Sequence, residues 1–178
     1  MRIIGGYLKG KNILPPANYA ARPTTDFAKE GLFNILINEY DIEELTVLDL
    51  FSGTGSISFE FASRGCKDII SIEMNPAHTK FIKQVASTYK VKGMQVIRHN
   101  VFDFLEICTK KFDIIFADPP YAIEGLDTIP DKVFAKELVN ENGYLILEHP
   151  GTFNFEEHPN FVKEKKYGNV HFSFFEPK

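Results

Sequence analysis

The 178-residue sequence has only two cysteines, Cys66 and Cys108, and their separation suits neither a metal motif nor a redox motif. A disulfide framework is therefore excluded, and free, mostly buried thiols in a reducing compartment account for both. No apolar run approaches the roughly 20 residues that a membrane-crossing helix needs. The opening Met1-Arg2-Ile3-Ile4-Gly5-Gly6 does not read as a signal peptide. Repeats and low-complexity tracts are missing, and the five histidines show no metal-ligand spacing. Positive charge is also scarce: 20 lysines and arginines stand against 24 acids, a net charge of −4. That balance argues against nucleic-acid binding by the surface as a whole and leaves room only for a local basic patch.

With 44% apolar and 25% charged residues, residues 1–178 suit one ordinary globular domain. Arg2–Ile4 and Tyr7–Leu14 read as two short extended pieces around Gly5-Gly6. Arg2, Lys9, Lys11 and Arg22 give this segment a basic excess, with no acid before Asp26. Arg22-Pro23-Thr24-Thr25-Asp26 reads as a helix entry, with Thr24 or Thr25 as cap. Downstream, strands and helices alternate. Strands are expected at Thr46–Phe51, Asp68–Glu73, Met94–His99, Phe112–Ala117 and Gly143–His149. Helices are expected after Gly55, after Asn75-Pro76, over Phe102–Ile107 and around Lys132–Leu138. Phe161–Tyr167 and Val170–Phe175, split by Gly168-Asn169, read as a closing antiparallel hairpin. The expected fold is α/β: a doubly wound, mostly parallel sheet with an antiparallel C-terminal edge and a short N-terminal hairpin/helix extension.

Two stretches carry chemistry. Asp49-Leu50-Phe51-Ser52-Gly53-Thr54-Gly55 lies where a first strand turns into a first helix, and Glu73 ends the next strand about twenty residues on. Glycines there let backbone approach a ligand, and Glu73 suits the two hydroxyls of a ribose. The plain structural reading of Glu73 is an acid facing the next helix amino terminus. An NAD site uses similar parts, but Ser58 replaces the third glycine, and Asp49 would repel a pyrophosphate. A cationic nucleoside such as S-adenosylmethionine suits these residues better. The second stretch is Asp118-Pro119-Pro120-Tyr121. The proline pair ends the strand and holds an acid and an aromatic ring at its carboxyl end, where ligands bind in open α/β sheets. An Asp118 carboxylate and the Pro119 carbonyl suit the two N–H groups of an exocyclic amine, and Tyr121 suits stacking on a base.

These motifs resemble those of class I S-adenosylmethionine-dependent methyltransferases that modify exocyclic amines. Arg22–Asp26, Leu32–Leu36, Leu48–Gly55, Ser63-Arg64-Gly65, Asp118–Tyr121, Glu148-His149 and Lys166-Tyr167-Gly168 together resemble the bacterial 16S ribosomal RNA guanine-N2 methyltransferases, the RsmD family. The resemblance implies methyl transfer to a guanine N2 of 16S rRNA, within the small subunit or its precursor. It further implies a cytoplasmic, monomeric enzyme with no metal and no membrane. Asp49, Phe51–Gly55, Glu73, Met74, Asn100, Val101 and Asp118 would hold the cofactor. Asp118–Tyr121 would carry the chemistry, and Arg22, Thr24, Thr25 and Tyr121 the substrate, with residues 1–24 facing RNA. Asn100 stands where the family usually has aspartate, and its side-chain carbonyl is expected to accept the adenine amine. The alternatives are an adenine-N6 DNA or RNA methyltransferase and a catalytically silent RNA-binding assembly factor.

Overall fold

The computed structural model describes residues 1–15 and 24–178; Arg22, a candidate substrate residue, lies outside them. The elements are α1 (Asp26–Glu39), β1 (Thr46–Leu50), α2 (Ser56–Ser63), β2 (Asp68–Glu73), α3 (Pro76–Thr88), β3 (Met94–Arg98), α4 (Val101–Ile107), β4 (Phe112–Ala117), α5 (Ile129–Ala135), β5 (Val139–His149), β6 (Phe161–Tyr167) and β7 (Val170–Phe175). The seven strands form one sheet in the order β3-β2-β1-β4-β5-β7-β6. The first five are parallel, while β7 runs antiparallel to both β5 and β6. Strand order reverses between β1 and β4, which opens a crevice at their carboxyl ends.

Both faces of the central strands are covered, so β1 and β4 read as continuous apolar runs. Leu48, Leu50, Ile115 and Ala117 pack with α4 and α5 residues Leu105, Ile129 and Val133. Val47, Ile114 and Phe116 pack on the other face with Leu32, Phe33 and Leu36 of α1 and Ile57 and Phe61 of α2.

Two elements differ from the sequence reading by more than a residue. The fifth helix begins at Ile129, because Pro130 suits a first helical turn, and it stops before Glu137 turns left-handed at φ 51°. Accordingly β5 starts earlier, at Val139, and reaches Gly143 through a register shift against β4. The opening segment is not two strands. A single antiparallel bridge, Arg2 to Asn12, closes it, and residues 5–10 turn on themselves.

Docking on α2 takes the place of a ladder. Tyr7 N–H donates to Ser63 O (2.8 Å), Leu8 N–H to Ser63 Oγ (2.9 Å) and Ile4 N–H to Glu60 Oε1 (2.8 Å). Gly6 sits at φ 72°, and a Cβ there would fall 1.7 Å from the Ser63 carbonyl oxygen. Under this loop, the fully buried Glu60 receives Lys29 Nζ at 3.0 Å, itself only 1% exposed, and the Arg64 guanidinium. The basic character of the segment is thus partly consumed: Arg2 pairs with Asp26 at 2.9 Å, while Lys9 and Lys11 remain exposed.

Removing one partner of a buried pair strands the other charge. Glu60→Gln should therefore destabilise the protein by about 3–5 kcal/mol, read from urea unfolding midpoints. Glu60→Gln with Lys29→Met should recover a large part of the loss. A single variant as stable as the parent would show that the network is not anchoring this loop.

Candidate active site

The residues after β1 form a tight turn over the crevice. Phe51 adopts a left-handed φ of 60°, followed by Gly53 at 56° and Gly55 at 78°. A left-handed non-glycine residue is costly and is held by its surroundings. Here Ser52 N–H bonds Ile72 O (3.0 Å), and Ser52 Oγ donates to Asp49 O (2.7 Å). Glu73, at the end of β2, braces the same turn by accepting Gly53 N–H at 2.8 Å on one oxygen. Its other oxygen accepts Asn75 N–H at 2.7 Å. The helix-facing role of Glu73 is therefore real: the second oxygen also faces His78 Nδ1 at 3.6 Å, and the carboxylate keeps acceptor capacity beyond these contacts. Met74 lies exposed beside it.

Asp49 does not simply face a ligand. It is buried, and its carboxylate accepts the Ser58 N–H (3.2 Å) and the Ser58 hydroxyl, which also meets Ser71 Oγ at 2.6 Å. Burial pushes its pKa up to about 7 despite these bonds. Asn100 also departs from expectation. Its Oδ1 caps α4 by accepting Phe102 N–H (2.9 Å) and Asp103 N–H (3.3 Å), just ahead of the buried Val101. Its Nδ2 lies 3.9 Å from Met74 Sδ. The group left for an adenine edge is thus a donor, and the expected acceptor is taken.

Thr25 caps α1 through Ala28 N–H (3.2 Å), whereas Thr24 turns inward and donates to Glu148 Oε2 (3.3 Å). Asp118 follows β4 directly, with its N–H 3.4 Å from Leu50 O across the crevice. Pro119 is buried, Pro120 exposed, and Tyr121 is 45% exposed with its hydroxyl donating to Glu148 Oε1 at 3.4 Å. No described side chain or backbone group donates a hydrogen bond to the Asp118 carboxylate. Burial, then the neighbouring Glu148 and Asp49, push its pKa well above the ordinary range. Glu148 is also raised, to about 7, by burial against the opposing bonds from Thr24 and Tyr121. Sequence reading gave Glu148 no role. The signal was present, since an acid ends an apolar strand just before His149-Pro150, as Asp118 does before its prolines.

Thr24, Asp49, Phe51–Thr54, Ser56, Ile57, Phe116 and Asp118 enclose a cavity of about 30 Å³. Ser56 Oγ is buried here and has no partner. A small, acid-lined hollow with an orphan hydroxyl fits the amino end of a cationic amino-acid nucleoside, and the shelf from Glu73 to Asn100 fits its nucleoside end. The larger depression, about 880 Å³ over α3 and the end of β3, is lined by Lys80, Lys83 and Arg98 and lies away from these acids. The histidines hold one surprise. His149, Glu164 and His171, from three strands, bring their ligand atoms within 4.8 Å of one another. Strand pairing made this cluster invisible to spacing. His149 already uses both nitrogens, on Pro150 O (3.0 Å) and Ser173 Oγ (2.8 Å), so the group serves to clasp β5, β6 and β7. Cys66 and Cys108 are free, and no helix among the described residues is long and apolar enough to cross a membrane.

A family model described as conserved hypothetical protein 95 matches residues 1–176. The chain is 31% identical to ribosomal RNA small subunit methyltransferase D of Buchnera aphidicola subsp. Baizongia pistaciae, over 98% of this chain and 91% of that one. It is 33% identical to the Escherichia coli K12 protein of the same name, over 83% and 71%. Among solved structures, a putative methyltransferase of Escherichia coli superposes with a TM-score of 0.86 at 27% identity, covering 100% of this chain and 99% of that one.

The raised Asp118 carboxyl has a measurable signature. Holding its proton in the native state where the unfolded chain has lost it, it supports the fold below its ordinary value of 3.8. That support is lost as pH rises through the raised value. Asp118→Asn removes this titration, so the variant should gain on the parent in urea midpoint as pH rises above the ordinary value of 3.8. Parallel curves for the two proteins would contradict the burial assigned to Asp118.

Proposed function

The chain belongs to the conserved hypothetical protein 95 family, and we propose that it transfers a methyl group from S-adenosylmethionine to the exocyclic N2 of a guanine in 16S ribosomal RNA. The observation that carries this reading is the Asp118 carboxylate, without a hydrogen-bond partner among the described residues, at the strand-order reversal and lining one hollow with the turn of Phe51 to Thr54. Relatives named small-subunit rRNA methyltransferases supply the substrate class. An assembly factor without activity has no use for a half-buried acceptor that no described group satisfies.

When bound, the cofactor supplies a methyl group on a sulfonium, an electrophile that needs no metal. The protein's part is placement. Glu73 is positioned to take the ribose hydroxyls with the lone pairs not used by Gly53 and Asn75. Asp49, Ser56 and the backbone of Gly53 to Gly55 line the amino-acid end, with Met74, Val101 and the Asn100 amide at the base end. On the substrate side, Asp118 and the Pro119 carbonyl each accept one N–H of the amine. This turns the nitrogen lone pair out of conjugation with the ring and toward the methyl carbon. Tyr121 moves from Glu148 to stack on the base. Transfer would break the methyl carbon–sulfur bond, whose electrons would leave with the thioether, and Asp118 or water would take the proton that the methylated nitrogen gives up.

A ribosomal RNA substrate supports a cytoplasmic enzyme, and our reading has it act as a monomer on the small subunit or its precursor. Its RNA face is the opening segment, where exposed Lys9 and Lys11 flank the docked loop and Thr24 reaches the site itself.

Asp118→Ala should slow single-turnover methylation of small subunits by about 10²–10³ while cofactor affinity holds, since one of two aimed acceptors is lost. Wild-type rates in that variant would remove Asp118 from the mechanism. Glu73→Ala should weaken cofactor binding by roughly 1.5–3 kcal/mol for each charge-assisted bond lost, as titration calorimetry would report. Unchanged affinity would leave Glu73 as a brace for the turn and nothing more.

A further inference from the structure

We infer that Glu148 reads the N1–H of the target base, and that this second carboxylate makes the site a guanine site and not an adenine site. The inference rests on the methyl-transfer reading above and adds the residue that chooses the base. β4 and β5 are parallel neighbours with Ala117 paired to Leu147. Asp118, just past the end of β4, and Glu148, still within β5 and paired on its other side with Phe172 of β7, therefore stand side by side, on strands about 4.8 Å apart. Their charges feel one another directly, as the effect of Glu148 on Asp118 records.

Glu148 is under-satisfied for a buried carboxylate. It is 5% exposed, and among the described residues it receives two long bonds from neutral hydroxyls, Thr24 Oγ1 at 3.3 Å and Tyr121 OH at 3.4 Å. An ionised carboxylate can accept about four hydrogen bonds, so capacity remains for a donor arriving from the crevice. Ser56 Oγ, 7% exposed and unpartnered, lines the same crevice wall as Thr24 and Asp118 and marks it as built for a ligand.

The edge of guanine carries two neighbouring donors, N1–H and the N2 amine. Two neighbouring carboxylates match them: Asp118 on the amine and Glu148 on N1–H. Adenine also offers an amine to Asp118, but the ring nitrogen beside it is bare. Its lone pair would meet the Glu148 oxygen, and the buried acid would lose its partner as well. A second role of Glu148 follows from its contact with Tyr121. In the free enzyme it holds the tyrosine hydroxyl, and an entering guanine takes over the carboxylate as the ring moves to stack.

The test uses the full-length protein and small subunits reconstituted with 16S rRNA in which the mapped target guanine is kept or replaced by 2-aminopurine. That analogue keeps the N2 amine and exposes N1 as an acceptor. Wild type should favour guanine in kcat/KM by roughly 10–100-fold, the usual range for one base-edge contact. Glu148→Gln keeps an oxygen for Tyr121 and Thr24 but presents an amide donor to N1. Its preference should shrink to about threefold or less, or reverse, with a gain on 2-aminopurine in absolute terms. A residue that merely positions Tyr121 would change both substrates alike and leave the ratio as in wild type, which overturns the inference. So does a wild-type ratio near one, a measurement that needs no variant. If wild type places no methyl group on the guanine particles at all, the function itself fails, and the two failures are thereby distinguished.

Discussion

Three acids, Asp49, Asp118 and Glu148, end up at the carboxyl ends of three adjacent parallel strands, where the sheet reverses its strand order. Burial raises all three carboxyls, Glu148 and Asp49 add to the effect on Asp118, and no cationic side chain among the described residues pairs with any of them. The site is consequently a sink for positive charge and for N–H donors. A sulfonium nucleoside on one side and the donor edge of a purine on the other are the kinds of partner that relieve it. The same physics rejects a pyrophosphate cofactor, although the glycine turn by itself would tolerate one.

The crevice is kept in shape by contacts well outside it. The turn of Phe51 to Gly55 is braced from β2 by Glu73 and Ile72, and Ser58 on α2 holds Asp49 from behind. The far end of α2 is gripped by the opening loop through Ser63 and Glu60. α2 thus connects the Lys29–Glu60–Arg64 network to the cofactor turn, and α1, which carries Lys29, begins at the threonine pair whose first member reaches Glu148. Chain segments far apart in sequence are made to agree at one point, and the energetic cost of burying Glu60 and Lys29 is tolerated because paired charges fix that agreement.

Adjacent carboxylates also make the difference between two chemistries that share one motif. In the proposed mechanism Asp118 and the prolines address any exocyclic amine. Glu148, brought alongside by the pairing of β4 with β5, addresses the ring nitrogen beside it. Selectivity in such a site arises from an unfavourable contact with the wrong base as much as from a favourable contact with the right one.

Local patterns in the sequence determined much of this protein. Buried strands announce themselves as apolar runs, Gly53 and Gly55 mark the turn, Asn75-Pro76 and Thr25 mark helix starts, and Asp118-Pro119-Pro120 marks a strand end, because each depends on the backbone preferences of a few neighbouring residues. The doubly wound order and the closing hairpin followed from that alternation. Tertiary structure alone decided what no local pattern encodes: that the opening segment folds onto α2 without forming a ladder, that Asn100 spends its oxygen on a cap, and that His149, Glu164 and His171 meet. It also decided that Glu148 stands beside Asp118. Register between strands thirty residues apart sets that neighbourhood, and a carboxylate's role depends on which groups share its burial, a property of the packed sheet and not of the residues on either side of it.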